Sequence, residues 1–366
     1  MKFYCWLLGI ALFIVLLGRV ASQCKSPGTD VLPATALRPL GRTIINEQRH
    51  LELISAACHI GVEFEDTLCR VRVSLPQNFD HNYIQYELDG VYQKRVRINH
   101  ETKTIDIKAA TLGHHSVWLY KTTEAHTSAV VIHNIRAHHI RALQPPAAPL
   151  VEFIGNSITC GALADASEVP CGQGVYHDQH NAYMAYGPRV ARALGVNYVL
   201  SSESGIGIYR NWNSDGPTMP EVYTKIDFQP NGPEWKFTHY TPQIVSIALG
   251  TNDFSAGDGK RARLPFDSAL FVNKYIQFVQ LVKSKYPAAQ IALLSSPMIN
   301  GANRQLLQNC LTTVKQRIDA SYAGSKPVAL FFFNPMQPRG CAYHPSVEDH
   351  AVLANELEPF FRKLLQ

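Results

Sequence analysis

A serine that follows a short apolar stretch is the strongest candidate for chemistry in this chain. Residues 151–154 read as a buried strand, Gly155 interrupts it, and Ser157 stands where the chain should turn toward a helix. A serine hydroxyl becomes an effective nucleophile only when a base lies within hydrogen-bond reach and donors meet the oxyanion that forms. The remaining parts of such a site follow in order along the chain: Gly205, Asn252 and His344.

These residue types fit acyl transfer from an ester. Ser157 would attack a carbonyl carbon, and His344 would take the serine proton and return it to the leaving group. The backbone amides of Ser157 and Gly205, with the side-chain amide of Asn252, would donate to the oxyanion, and one such donor is worth about 3 kcal/mol. Pro345 favours an extended backbone at His344, which places the imidazole on a loop.

The elements that must position these residues alternate between strands and helices after residue 150. Strands are predicted at 150–154, 197–201, 244–249, 290–294 and 328–333, and helices at 182–194, 267–285, 304–320 and 347–365. Apolar strands linked by helices indicate a parallel sheet covered on both faces, with functional residues beyond the carboxyl ends of its strands. Because Ser157, Gly205 and Asn252 each follow a predicted strand directly, we expect them to share one site.

The first half of the chain follows a different pattern. Apolar residues alternate at period two from about 37 to 142, and Asp89-Gly90 reads as a hairpin turn. Several short strands separated by turns indicate a β-sandwich or jelly roll. No catalytic constellation is visible there. Three prolines at 145–149 predict a linker over 143–149, between domains at 23–142 and 150–366.

The first 22 residues have the pattern of a secretory signal peptide. Lys2 precedes an apolar run, and Val20-Ala21-Ser22 supply small residues before a cut. An uncleaved membrane anchor is the alternative, but the run from Phe3 to Gly18 is shorter than the about 20 residues that span a bilayer. We therefore expect a secreted protein that leaves the membrane after signal cleavage.

Composition limits the partners. The chain has 366 residues, 46% of them hydrophobic and 17% charged, which suits two globular domains. Cleavage would remove Lys2 and Arg19 and lower the formal charge from +5 to +3. That balance, without a basic stripe, argues against nucleic acid as a partner.

Seven cysteines would remain in the mature chain, and export makes disulfides plausible. An odd count leaves at least one thiol unpaired or intermolecular. From proximity along the chain and the expected fold, we predict the pairs Cys160–Cys171 and Cys310–Cys341. The remaining three are Cys24, Cys58 and Cys69.

Four sequence blocks, in order, resemble those of the SGNH (GDSL-like) hydrolase superfamily. They are Gly155-Asn156-Ser157-Ile158-Thr159, Ser204-Gly205, Gly250-Thr251-Asn252-Asp253 and His344-Pro345. The resemblance is closer still to carbohydrate esterase family 2, whose members resemble acetyl xylan esterases with a jelly roll before the SGNH domain. It rests on the segments 205–211, 215–220, 250–255 and 341–346.

The resemblance carries several expectations. It implies an N-terminal all-β jelly-roll sandwich and then a three-layer α/β SGNH domain with a five-stranded parallel sheet in flavodoxin-like order. It further implies deacetylation of xylan, glucomannan or a related polysaccharide or oligosaccharide, with no metal and no organic cofactor. We also expect a monomer.

The sequence departs from the superfamily at one position. Where an aspartate usually stands three residues before the histidine, this chain has Cys341. Loss of such an aspartate from a triad can lower activity by roughly 10⁴-fold. Some members of family 2 are similar in this respect: they use a Ser–His dyad in which a backbone carbonyl holds the histidine. We expect the same arrangement in this chain. The rival is a carboxylate from Glu348 or Asp349, both of which open the next helix.

Other polar residues receive structural interpretations. Asp253 is expected to shape a loop, and His177 and His180 to lie in a loop or cap a helix. Trp212 and Tyr209 follow the glycine block, where they would either stack on a sugar ring or pack in the core.

The histidines of the first half raise the possibility of a metal site. They are His114, His115, His133, His138 and His139. Their spacing matches no closed zinc pattern, and adjacent residues on a strand point to opposite faces, so we interpret them as surface or strand residues.

Two other functions stay open. One is an acyl esterase or acyltransferase that acts on another small or lipid ester. The other is a non-catalytic carbohydrate-binding protein. Hydrolysis of p-nitrophenyl acetate that depends on Ser157 separates both kinds of esterase from the binding protein.

Overall fold

A computed structural model of the chain describes residues 29–260 and 262–366. The expected signal peptide and Cys24 lie outside these ranges. Among the described residues, no helix combines the length and apolarity that a bilayer crossing requires.

The first half of the described chain is all-β, as the period-two pattern predicts. Its ten strands form one antiparallel network in the order β2-β3-β10-β4-β9-β5-β6, with β1 on β10, β7 on β5 and β8 on β4. The strands are β1 Asp30–Pro33, β2 Thr43–Ile45, β3 Leu51–Leu53, β4 His59–Ser74, β5 His81–Leu88, β6 Val91–Tyr92, β7 Val96–Asn99, β8 Thr104–Lys108, β9 His114–Lys121 and β10 Val130–Ala142.

Alternation fails at one pair of histidines on β10. The ladder between β10 and β4 is irregular on either side of His138, and His139 has a φ of 49°. The two imidazole rings consequently stack, with their centroids 3.9 Å apart. The expectation that these neighbours point to opposite faces is wrong, because a β-bulge adds a residue and breaks the alternation.

The second half is a parallel five-stranded sheet with helices, and this part of the predicted fold is confirmed. The strands, in sequence order β11 to β15, are Leu150–Gly155, Asn197–Ser202, Ile244–Ala248, Gln290–Leu294 and Ala329–Phe331. Their order across the sheet, β12-β11-β13-β14-β15, is the expected flavodoxin-like one. Segment 143–149 runs between β10 and β11, outside both sheets.

The four predicted helical segments are helical with different ends, one of them divided, and three short α-helices lie outside the predicted ranges. The α-helices, α1 to α7, are Ser157–Cys160, Tyr186–Leu194, Met219–Val222, Thr251–Phe254, Ser268–Lys285, Gly301–Ser321 and Val347–Leu364. Short 3₁₀ turns lie at Ala34–Ala36, Ala125–Thr127, Tyr176–Gln179, Ala182–Met184, Phe237–His239 and Cys341–Tyr343. The single helix expected at 182–194 is divided, because Ala185 has an extended backbone with ψ 158°.

The two halves share buried structure. Ala56, Ala57 and Tyr120 of the first half pack in one apolar cluster with Val151 and Phe153 of the central strand β11. The first half therefore contacts the parallel sheet directly.

Arg42 adds a buried polar connection between the halves. Its guanidinium contacts Ser201 Oγ at 3.0 Å, donates to the carbonyl oxygens of Tyr223 and Lys225, and lies 3.7 Å from the Glu152 carboxylate. A buried charge is tolerated only when it is paired and hydrogen-bonded, so this arginine requires both halves in place.

The disulfide joins Cys171 to Cys341, and both predicted pairs are wrong. Cys160 and Cys310 are buried free thiols, on α1 and α6. Disulfide formation needs two Cα atoms within about 7 Å, which distance along the sequence does not determine. Here the loop after α1 and the loop before α7 meet, with the two Cα atoms 5.2 Å apart.

Candidate active site

Ser157 lies at the sharp junction between β11 and α1. A Cβ at Gly155 would lie 2.0 Å from Thr159 Oγ1, so only glycine permits the turn. The Asn156 side chain accepts from the amide of Ile158 and caps the helix. This geometry places the Ser157 side chain at the carboxyl edge of the sheet, where only 8% of it is exposed.

His344 reaches Ser157 from the other end of the chain. Its Nε2 lies 3.0 Å from Ser157 Oγ, and its Nδ1 lies 3.0 Å from the carbonyl oxygen of Ala342. Because a carbonyl only accepts, the proton sits on Nδ1 and Nε2 is free to accept from the serine hydroxyl. Burial lowers the pKa of His344, which favours this neutral form.

No carboxylate takes the place of Cys341 as a partner of His344 in the described residues. The Asp349 carboxylate pairs with Arg339 at 2.6 Å and accepts from the amide of Ser346, the N-cap of α7, while Glu348 accepts from the Ser346 hydroxyl. Both carboxylates thus have helix-capping or ion-pair contacts, and neither contacts the imidazole.

The two other expected oxyanion donors follow the strands β12 and β13, which pair with β11 on either side. Gly205 lies three residues after β12 and has a φ of 73°, and Asn252 lies in α4 directly after β13. Within the described ranges, the amide N–H groups of Ser157 and Gly205 have no acceptor. Asn252 donates one amide hydrogen to the carbonyl of Ile206 at 2.8 Å, which leaves its second hydrogen available.

Asp253 shapes the loop after Gly205, as the sequence analysis expects. Its buried carboxylate accepts from the amides of Ile208, Tyr209 and Arg210 at 2.9 to 3.3 Å. Burial raises the pKa of Asp253 to about 6, although these three donors oppose the shift. The residue holds a turn and does not contact His344.

Trp212 and Tyr209 lie in different environments. Trp212 is 39% exposed, its amide donates to the Gly205 carbonyl at 2.8 Å, and it lines a surface cavity of about 370 Å³. Tyr209 also borders that cavity, but its ring packs against Phe266 and Phe271. Of these two aromatic rings, only that of Trp212 has much of its surface open to a ligand.

Glu124 of the first half reaches the same region, and the sequence analysis missed it. Its fully buried carboxylate accepts from the Ser204 amide and hydroxyl, each at 2.5 Å, and from His180 Nε2 at 2.9 Å. His180 is completely buried, and its Nδ1 accepts from the amide of Leu163. The polar end of β9 was the available signal, but no sequence pattern links residue 124 to residue 204.

The protonation states around Glu124 follow from these contacts. Burial would raise the pKa of Glu124, but the hydrogen bond from His180 and the nearby imidazoles outweigh burial and lower it. Beside Glu124, His126 contacts Glu203. Burial raises the pKa of Glu203 to about 7. Burial of His126 would lower the pKa of its imidazole, but the hydrogen bond to Glu203 outweighs burial and raises that pKa to about 9.

Three groups of described side chains bring potential metal ligands together. They are Glu65, His138 and His139; His81, His177 and Asp178; and Glu124, His126 and Glu203. In the second group, Asp178 already accepts from Tyr83 and the Val175 amide, and His177 contacts the His81 carbonyl. None of the three groups includes Ser157 or His344.

A serine and an imidazole in contact above the carboxyl edge of a flavodoxin-like sheet define an α/β serine hydrolase. Residues 153–350 match the model of the GDSL-like Lipase/Acylhydrolase family, and residues 40–146 match the Carbohydrate esterase 2 N-terminal model. The chain belongs to the GDSL-like lipase/acylhydrolase family, with a carbohydrate esterase 2 N-terminal region, and is a carboxylic ester hydrolase.

Individual relatives resemble the chain over nearly its whole length. It is 27% identical over 355 residues to an acetylxylan esterase / glucomannan deacetylase of Cellvibrio japonicus, covering 93% of this chain and 96% of that one. A solved family two carbohydrate esterase from Clostridium thermocellum, in complex with cellohexaose, has a TM-score of 0.77, 26% identity and coverage of 92% and 99%. One from Cellvibrio japonicus has a TM-score of 0.79 at 23% identity, covers 92% and 98%, and shares the fold.

Proposed function

We propose that this protein is a secreted carbohydrate esterase that removes O-acetyl groups from xylan, glucomannan or a related glycan. The observation that carries the proposal is the chain of contacts from the Ala342 carbonyl through the His344 ring to Ser157 Oγ, each 3.0 Å long. It supports a Ser–His dyad in which a carbonyl holds the imidazole.

The reaction proceeds in two acyl transfers. Ser157 Oγ attacks the acetyl carbonyl while His344 Nε2 takes its proton, and the proton then passes to the departing sugar oxygen. A water molecule, activated by the same imidazole, attacks the acetyl–serine ester and releases acetate. The amides of Ser157 and Gly205, with Asn252, stabilise the oxyanion in both steps.

An acetylated glycan is the substrate that the surroundings favour. Two curated relatives, both of Cellvibrio japonicus, are named acetylxylan esterase / glucomannan deacetylase. The half-open Trp212 ring beside Gly205 offers a flat apolar face, which suits a sugar ring near the scissile acetyl group.

Secretion is part of the proposal. The signal-like residues 1–22 support export, and the Cys171–Cys341 disulfide suits an oxidising compartment. The substrate, a polymer outside the cell, requires the same location.

Acetate release tests the function. We expect wild-type protein to release acetate from acetylated xylan or glucomannan and to hydrolyse p-nitrophenyl acetate. Ser157→Ala should abolish both activities, because it removes the nucleophile, while Ser284→Ala on an exposed helical turn serves as the matched control.

Two results would contradict the proposal. Turnover that survives Ser157→Ala would show that another group acts as nucleophile. Hydrolysis of p-nitrophenyl acetate without acetate release from any acetylated glycan would favour an esterase of other small or lipid esters.

A further inference from the structure

The all-β half inserts one charged group behind the proposed oxyanion site. Glu124 follows β9, is completely buried, and lies among residues of the α/β half. A carboxylate in such a place is costly unless its contacts compensate, so the partners of Glu124 indicate its role.

The partners belong to the strand end that carries Gly205. Glu124 accepts from both the amide and the hydroxyl of Ser204, the residue immediately before Gly205. Tyr176 donates to the Ser204 hydroxyl at 2.7 Å, and His180 donates to Glu124 Oε1, the oxygen that also accepts from that hydroxyl. The Gly205 amide belongs to the peptide bond that joins Ser204 to Gly205. Two charge-assisted hydrogen bonds to Glu124 hold Ser204, so they also restrict the direction of that amide.

We propose that Glu124 is a positioning residue that aims the Gly205 amide at the oxyanion. The inference rests on the proposed esterase function and deepens it, since it makes the β-sandwich half part of the catalytic apparatus. An oxyanion donor must lie within about 3 Å of the developing charge, so a small rotation at Ser204 weakens it.

Neutralising Glu124 tests the proposal in full-length protein. In Glu124→Gln, an NH₂ group replaces one carboxylate oxygen and would face the donor groups of His180 or Ser204. Because two donors cannot form a hydrogen bond, at least one of the hydrogen bonds at position 124 is lost. We expect kcat for p-nitrophenyl acetate to fall about 10- to 100-fold with KM nearly unchanged, because the donor acts mainly on the transition state.

A second buried carboxylate provides the control for lost stability. Glu152, on β11, is 2% exposed and pairs with Arg42, away from the serine. Glu152→Gln should lower the urea midpoint at least as much as Glu124→Gln but keep kcat near the wild-type value. Glu124→Asp, which retains the charge at shorter reach, should recover part of kcat.

The outcomes separate this inference from the proposed function. Active wild type with equally active Glu124→Gln would overturn the positioning role and leave the esterase intact. Inactive wild type would refute the esterase and the inference with it. A tenfold rise in KM at constant kcat would mean that Glu124 supports substrate binding instead, and would also overturn the inference.

A separate observation concerns the far face of the β-sandwich. Glu65 on β4 is directly opposite His114 on β9 and His138 on β10, so strand register places three potential ligands in one row. The bulge at His139 brings a third imidazole to the same side, and the Asp30 carboxylate accepts from the His139 amide and holds that bulge.

The spacing of these atoms suits a small divalent cation. Glu65 Oε2 lies 2.7 Å from His139 Nδ1 and 3.6 Å from His138 Nδ1, whereas His114 Nε2 lies 3.4 Å from the other oxygen, Oε1. Ligands of a tetrahedral zinc ion, each about 2.0–2.2 Å from the metal, lie about 3.3 Å from one another. The sequence contains no zinc spacing pattern, because the ligands come from strands that are distant in the chain.

We infer that Glu65, His138 and His139 form a zinc-type site on the β-sandwich, independent of the esterase, with His114 beside it on the other oxygen of Glu65. Full-length protein, stripped with a chelator, should bind one Zn²⁺, and Co²⁺ in its place should show the visible spectrum of a tetrahedral complex. His138→Ala and Glu65→Gln should each weaken binding about tenfold or more, because each removes a ligand.

Two controls make the zinc test decisive. His100→Ala, an exposed histidine outside the cluster, should leave the affinity unchanged. Absence of saturable Zn²⁺ binding would overturn the assignment. So would a result in which His126→Ala loses Zn²⁺ binding while His138→Ala keeps it.

Discussion

The disulfide between Cys171 and Cys341 should hold His344 in its reactive position. Two non-glycine residues directly before the imidazole, Ala342 and Tyr343, have left-handed backbones with φ of 46° and 62°. Each such residue costs roughly 1–2 kcal/mol, so the turn carries about 2–4 kcal/mol that favours its relaxation.

Backbone hydrogen bonds of the turn oppose relaxation. The amide of Cys341 donates to the Leu163 carbonyl at 2.9 Å, the amide of Gly340 donates to the His344 carbonyl at 2.8 Å, and the amide of His344 donates to the Cys341 carbonyl at 3.0 Å. Each bond contributes about 1 kcal/mol net, so the three together only match the cost of the turn. The cross-link between Cys171 and Cys341 limits how far the turn can move in the folded protein. Without it, the balance is close to zero and His344 should leave Ser157 for much of the time.

Cys171→Ser is the suitable perturbation, because Cys171 does not contact the dyad. We expect kcat for p-nitrophenyl acetate to fall about 10- to 100-fold, which corresponds to about 1.4–2.8 kcal/mol. Wild type treated with reductant, with reduction verified by alkylation and mass spectrometry, should fall to the same level. Cys310→Ala removes a buried free thiol from α6 and is the matched control.

Retention of full kcat by folded, fully reduced wild type would refute this reasoning. It would mean that the backbone bonds alone hold the histidine loop. A fall in the urea midpoint without a change in kcat would likewise limit the disulfide to global stability.

Three further predictions follow from individual contacts. Arg42→Met should cost about 3–5 kcal/mol in urea unfolding, because Glu152 is left buried without its cation, and Arg42→Met/Glu152→Leu should recover part of that loss; additive effects would contradict a coupled pair. Glu348→Gln and Asp349→Asn should keep most of kcat, since neither carboxylate contacts the imidazole, and a thousandfold loss from either would overturn the dyad. Burial lowers the pKa of His344, so kcat/KM should stay constant at neutral pH and decline only below about 6.5 as the imidazole takes up a proton; an acid limb above that value would contradict the neutral, buried base.

The predicted fold came from patterns that are local in the chain. Alternation at period two and apolar strands between helices predict an all-β half and a parallel α/β half, and both are confirmed. The candidate site residues Ser157, Gly205 and Asn252 were predicted because each follows a strand, and carboxyl ends of parallel strands meet at one edge. That relation is a property of topology and needs no knowledge of side-chain packing.

What the sequence by itself determined was the class of each segment and the residues that chemistry requires. The tertiary structure alone decided which distant groups meet: Cys171 with Cys341, and Glu124 with Ser204. Such contacts depend on loop conformations and domain packing, which carry no periodic signal. A bond between residues 80 or 170 positions apart is therefore visible only once the backbone has been placed.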